Sequence, residues 1–180
     1  MTAALQSRLA TLDDVPALGA LMALAIGELQ RGFLSDAEIE ASRAVMGLDT
    51  QLVRDGTYFV IESDGRLAGC GGWSRRATLY GGDHSTALRE PALLDPRVDA
   101  ARVRAMYTHP DFTRRGVGAM IIDRSEAAAL AEGFTRAELM ATLSGEPLYR
   151  RCGYQEIERV FAEVGAVRVP LIRMGKTLKA

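Results

Sequence analysis

Apolar residues recur with a helical period over two early stretches of the chain. Leu18, Leu21, Met22, Ala25 and Leu29 lie three or four positions apart, which predicts a helix with one buried stripe. Thr11 can cap it, Asp13, Asp14 and Pro16 suit its first turn, and Gly32 is a natural stop. Ser35-Asp36-Ala37-Glu38 carries a capping-box pattern and opens a second helix, continued by Ile39, Ser42 and Met46 as far as Gly47. The period then changes. Residues 57–62 are rich in β-branched and aromatic side chains, Asp64-Gly65 marks a tight turn, and residues 66–74 return as the partner strand of a hairpin. Gly69, Gly71 and Gly72 weaken that second strand or admit a close backbone or ligand. From residue 75 to about 99 the pattern lapses around Gly81, Gly82, Pro91 and Pro96, and loops of such length are often functional.

Strand character resumes over residues 101–108 and is ended by His109-Pro110-Asp111. A helix is predicted over 116–132 with Gly133 as its stop, then a strand over 134–142 and a short helix over 145–152. Two strands, near 154–164 and 167–178, finish the chain. Strand, turn, helix and strand in succession form a βαβ unit with a parallel pair, and the flanking hairpins make the whole sheet mixed. With no repeat, linker or low-complexity segment, residues 1–180 read as one domain.

Composition narrows the classes. The 180 residues are 48% hydrophobic and 25% charged, with a net charge of -1, which excludes a disordered chain. That balance gives no broad electrostatic reason for nucleic-acid or membrane binding. Cys70 and Cys152 lie far apart without histidine neighbours, so neither a disulfide framework nor a metal site is expected. The apolar run at 17–26 is too short to span a bilayer and follows acids instead of a basic flank, so the chain reads as cytoplasmic.

The richest chemistry lies at Thr113-Arg114-Arg115-Gly116-Val117-Gly118-Ala119, between a strand and a long helix. Glycines let the backbone bend and approach a ligand, and the first helical amides, with no intrahelical acceptor, form an anion site. Arg114 and Arg115 add charge suited to a polyphosphate. A P-loop pattern is missing, and Ile121 stands where a dinucleotide fold needs its third glycine.

This segment resembles motif A of the GCN5-related N-acetyltransferases, Q/R-x-x-G-x-G/A, with Thr113 in the first position. Met106-Tyr107-Thr108-His109-Pro110 is similar to the family's strand end, and Leu148-Tyr149-Arg150-Arg151-Cys152-Gly153-Tyr154 to its tyrosine-x-x-x-glycine-aromatic segment. The resemblance implies a single-domain α/β (α+β) fold: a mixed, mostly antiparallel sheet with a splayed parallel pair and helices on both faces. It implies acetyl-CoA as co-substrate, with no metal. The amides of Arg114, Arg115, Gly116, Val117, Gly118 and Ala119 would hold the pyrophosphate. Backbone groups of Met106, Tyr107 and Thr108 would meet the pantetheine or the reacting carbonyl. Tyr149 would protonate the departing thiolate after direct attack by a primary amine of a small molecule or protein. Its other role would be packing the short helix. A homodimer is compatible with this reading.

The base is less defined, because the strand reads Ala101-Arg102-Val103-Arg104 without an acid. Glu28, Asp83 and His84 are candidates near the acceptor mouth. Trp73 is either an apolar acceptor wall or a core side chain, while Arg75 and Arg76 either attract an acidic group or are solvated. Ser144 and Pro147 depart from the family pattern and bear on acceptor orientation. The rival reading is a non-catalytic acyl-CoA sensor that uses the same cradle.

Overall fold

The computed structural model describes residues 4–179. Its strands are β1 (Gln6–Leu9), β2 (Tyr58–Ser63), β3 (Arg66–Ser74), β4 (Ala101–Thr108), β5 (Arg136–Ala141), β6 (Gln155–Val164) and β7 (Val167–Thr177). The helices are α1 (Val15–Leu29), α2 (Asp36–Ser42), α3 (Thr50–Arg54), α4 (Val117–Ala131) and α5 (Glu146–Arg151). The strands form one sheet in the order β1-β2-β3-β4-β5-β7-β6. Every neighbouring pair is antiparallel except β4 and β5. This is the mixed α/β architecture that the pattern predicts.

Four details differ from the sequence reading. An edge strand, β1, precedes the first helix. A 3-10 turn, Leu12–Asp14, leads into α1, with Asp14 accepting from the Thr11 amide at 2.7 Å. Helix α2 stops at Ser42 instead of reaching Gly47, because Ser42 is buried and its hydroxyl donates back to the Ile39 carbonyl at 2.6 Å. The additional helix α3 is capped by Asp49, which accepts from the Gln51 amide at 3.0 Å.

Alternation along the strands divides the core between two faces. On one, the α1 stripe from Leu18 to Ile26 packs with Tyr58, Val60, Cys70 and Tyr107. On the other, Val117 and Ile121 of α4 meet Ile61, Ala68 and Phe112. The glycines of β3 are what let α4 lie so close. A Cβ on Gly69 would stand 2.4 Å from Val117 Cγ1, and one on Gly71 2.7 Å from Ile121 Cγ2. Trp73 shares that face. It is fully buried, edge-on to Phe134 with ring centroids 5.8 Å apart, and so is core and not an acceptor wall.

The sheet opens at its centre. Strands β4 and β5 are in register only at Ala101↔Ala137 and Arg102↔Glu138, and then part. At the root of the gap Glu138 accepts from Arg102 at 3.2 Å and from Arg173 at 2.6 Å, pinning β4, β5 and β7 together. Above it, Ala105 adopts a left-handed φ of 51° where the β3–β4 register shifts. The Tyr58 hydroxyl donates to the Ala105 carbonyl at 2.6 Å and holds this bulge, which bends β4 away from β5.

Candidate active site

The turn before α4 begins with Phe112, buried between α4 and the sheet. The guanidinium groups of Arg66 and Arg115 lie over its ring, at 4.9 and 5.3 Å from the centroid. Arg114 takes φ 61° and Gly116 φ 88°, a succession that turns the chain into the helix. Space around Gly116 is open, so its backbone angle, not crowding, calls for glycine there. Gly118 is the reverse case. A Cβ there would stand 2.4 Å from Leu148 Cδ2, so this glycine lets α5 pack on α4.

Among the described residues, none of the main-chain N–H groups from Arg114 to Ala119 donates to a protein acceptor. The first internal bond runs from the Met120 amide to the Gly116 carbonyl at 3.0 Å. Uncapped amides at the positive end of a fifteen-residue helix, beside two exposed arginines, suit a diphosphate.

These amides border a cleft of about 760 Å³ that runs into the sheet opening. Met106, Tyr107, Thr108, Arg114 and residues 116–119 line it, while Arg115 does not. The His109 amide donates to the Ala68 carbonyl at 2.9 Å, so antiparallel alternation turns the Thr108 amide and carbonyl away from β3, toward the gap. A second recess of about 80 Å³ lies deeper, and Met46, Met106, Tyr107, Thr142 and Tyr149 line both cavities.

Tyr149, on α5, stands at this junction. Its hydroxyl has Met106 Sδ at 3.7 Å as its one protein partner among the described residues. Burial pushes its pKa well above the usual phenol value, so it stays protonated at neutral pH. The Tyr107 hydroxyl, in contrast, is engaged: it accepts from the Gly47 amide at 2.8 Å. Ser144 lines the outer cleft and shares a 3.2 Å hydrogen bond with Thr142, while Pro147 sits in the first turn of α5.

The remaining candidates are held elsewhere. Glu28 is exposed on α1, 3.5 Å from Arg31. Asp83 accepts from the Thr50 amide at 3.0 Å, and His84 Nε2 donates to the Arg43 carbonyl at 2.7 Å on the outer side of that loop. None of the three lines either cavity. Arg75 pairs with Glu132 and Arg76 with Asp55, so neither is free to attract an acidic group.

Several lining residues escaped sequence reasoning. Leu29, the last residue of α1, and Phe33, in the turn that follows it, both line the cleft, and their four-residue spacing continues the apolar pattern of the helix in the sequence. Arg151 lies within the tyrosine segment and borders the outer cleft. Arg104 lines the deep recess although it is almost wholly buried.

A split mixed sheet with uncapped helix amides at the mouth of the split is the architecture of an acyl-CoA-using transferase. The model of the acetyltransferase (GNAT) domain matches residues 54–156, so the chain belongs to that family of acetyl-CoA-dependent acetyltransferases. An uncharacterized N-acetyltransferase of Chlorobaculum tepidum is 24% identical over 139 residues, 77% of this chain and 73% of that protein. Among solved structures, a GCN5-related N-acetyltransferase of Rhodopseudomonas palustris superposes with a TM-score of 0.69 at 20% identity, covering 99% of this chain and 97% of that one. The PaiA N-acetyltransferase of Thermoplasma acidophilum, solved in complex with coenzyme A, gives 0.64 at 12% identity, covering 97% and 99%. Both likenesses describe the fold.

Proposed function

We propose that the protein transfers the acetyl group of acetyl-CoA directly to a primary amine of a small molecule or protein, with Tyr149 as general acid. The observation that carries this reading is the Tyr149 hydroxyl: protonated, without an oxygen or nitrogen partner among the described residues, and facing both cavities. The amides from Arg114 to Ala119 receive the donor's diphosphate. The pantetheine extends along the free edge of β4 at Met106, Tyr107 and Thr108, as an added strand would. The amine attacks the thioester carbon, a backbone N–H near Met106 or Tyr107 steadies the oxyanion, and the thiolate leaves with the phenolic proton.

Tyr149→Phe tests the assignment. Turnover should fall by roughly 10²–10⁴-fold while calorimetry shows acetyl-CoA binding unchanged. Near-normal turnover removes the tyrosine from this role. Donor binding without transfer to any member of an amine panel would instead favour the sensor.

A further inference from the structure

Strand β6 ends the sheet, and among the described residues nothing pairs with its outer edge. Seven of its ten residues are exposed, Ile157 and Phe161 among them, and it carries no lysine or proline to deter pairing. The opposite edge is blunted, because β1 spans only four residues and its Arg8 is tied to Asp14 and Glu62. The regular part of β6 has defined limits. A bulge at Ile157 interrupts its register with β7, and the hairpin turn follows Val164. Residues 158–164 lie between, with Phe161 at their midpoint. Phe161 stands opposite Pro170. Proline has no N–H to give, so this is a pair without ladder bonds, and the Phe161 N–H and C=O point to the free edge. Alternation turns those of Arg159 and Glu163 the same way.

Two copies of this segment, set antiparallel about a two-fold axis through Phe161, match residue for residue. Phe161 faces Phe161, Val160 faces Ala162, and Arg159 of each copy faces Glu163 of the other. An axis at Arg159 or Glu163 sets like charge against like, and one at Val160 or Ala162 sets a charge against the Phe161 ring. The charged groups are available. Arg159 gives its Nε and Nη2 to Glu156 and Glu146, and its Nη1 has no partner among the described residues. Glu163 is exposed and takes part in no ion pair among them. We infer that β6 is a docking edge for β6 of a second copy of this chain, which joins two seven-stranded sheets into one. The edge is separated from the β4–β5 opening by β5 and β7, and Arg159, Phe161 and Glu163 line neither cavity. Each copy therefore keeps its own cleft, and the inference stands apart from the transferase reading.

Sedimentation of the full chain over a dilution series should show a dimer that dissociates reversibly. Arg159→Glu makes both facing positions acidic and Glu163→Arg makes both basic, so each variant alone repels its own copy. Each should raise the dimer dissociation constant on the order of 10–10²-fold. Mixed in equal amounts, the two variants bring acid to base at both contacts and should recover a dimer as tight as wild type. Phe161→Pro removes the ring and the outward N–H that the chain's own ladder does not use, so it should abolish the dimer with little change in unfolding temperature. Thermal unfolding of every variant serves as the control for folding. A wild-type chain that is monomeric at every concentration overturns the inference. So does a dimer unaffected by Glu163→Arg or Phe161→Pro, or two folded charge variants that stay apart when mixed. If Arg159→Glu fails to fold for want of its bond to Glu146, Glu163→Arg and Phe161→Pro decide the matter by themselves.

Discussion

Gly118→Ala probes the contact between α4 and α5 with a single methyl group. The new Cβ would stand 2.4 Å from Leu148 Cδ2, where ordinary contact begins at 3.4 Å, so about 1 Å must be absorbed. Leu148 is the immediate neighbour of Tyr149 on a helix of only six residues, so if the helix yields instead of the leucine side chain the phenol moves with it. Misplacing a reacting group by about 1 Å costs on the order of 10²-fold in rate. Stability should move less. Overpacking costs about 1–3 kcal/mol, against a gain of up to about 1 kcal/mol from alanine's better helix propensity. The expected outcome is a kcat reduced roughly 10–10²-fold with unfolding free energy lowered by about 1 kcal/mol, read by steady-state acetyl transfer and urea titration. Leu148→Ala in the same chain makes room for the methyl and should restore much of the lost kcat. If Gly118→Ala alone leaves kcat untouched, or if the double variant is no better than the single one, the packing explanation of this glycine fails.

Other outcomes follow from the same contacts. Trp73→Ala should cost about 3–5 kcal/mol in chemical denaturation and impair every acceptor alike, since this ring fills the core against Phe134. Asp14 is held at about 2, below the ordinary 3.8, chiefly by its hydrogen bond to Arg8. Its contribution is therefore complete above pH 4 and disappears as pH falls through 2. Asp14→Asn keeps an oxygen for the Thr11 amide and loses the ion pair with the partly exposed Arg8, so it should lose up to about 1 kcal/mol at neutral pH and converge on wild type as pH falls below 2. Burial pushes the Cys70 thiol up to about 12, so a thiol reagent at pH 8 should modify it only after unfolding.

The sequence carried the site's backbone well and its acceptor side poorly. Strand β4, the glycine turn and α4 were legible because period, breakers and motif agree over residues 101–132. Strand β1 was not, since its four residues are largely exposed on both sides and show no alternation. Helix α3 spans five residues, below the length at which periodicity can register. Trp73 could have been placed by parity: it lies two and four positions from Gly71 and Gly69, the glycines that admit α4. The positions of Asp83 and His84 depended on how the 75–99 loop folds against Arg43 and Thr50, a long-range arrangement with no local signature, while Glu28 sits on the exposed side of α1 beside Arg31.

Glu138 and its two arginines mark the place where the sheet's halves are still joined, over just two registered pairs. Above that seam the strands stand apart like an unzipped fastener, and under the proposed function the amides of the donor's arm would supply the missing rungs. Occupancy of the donor thus becomes a mechanical property of the whole domain. The unfolding temperature should rise with the logarithm of coenzyme concentration, and proteolysis of the empty protein should begin along the open seam.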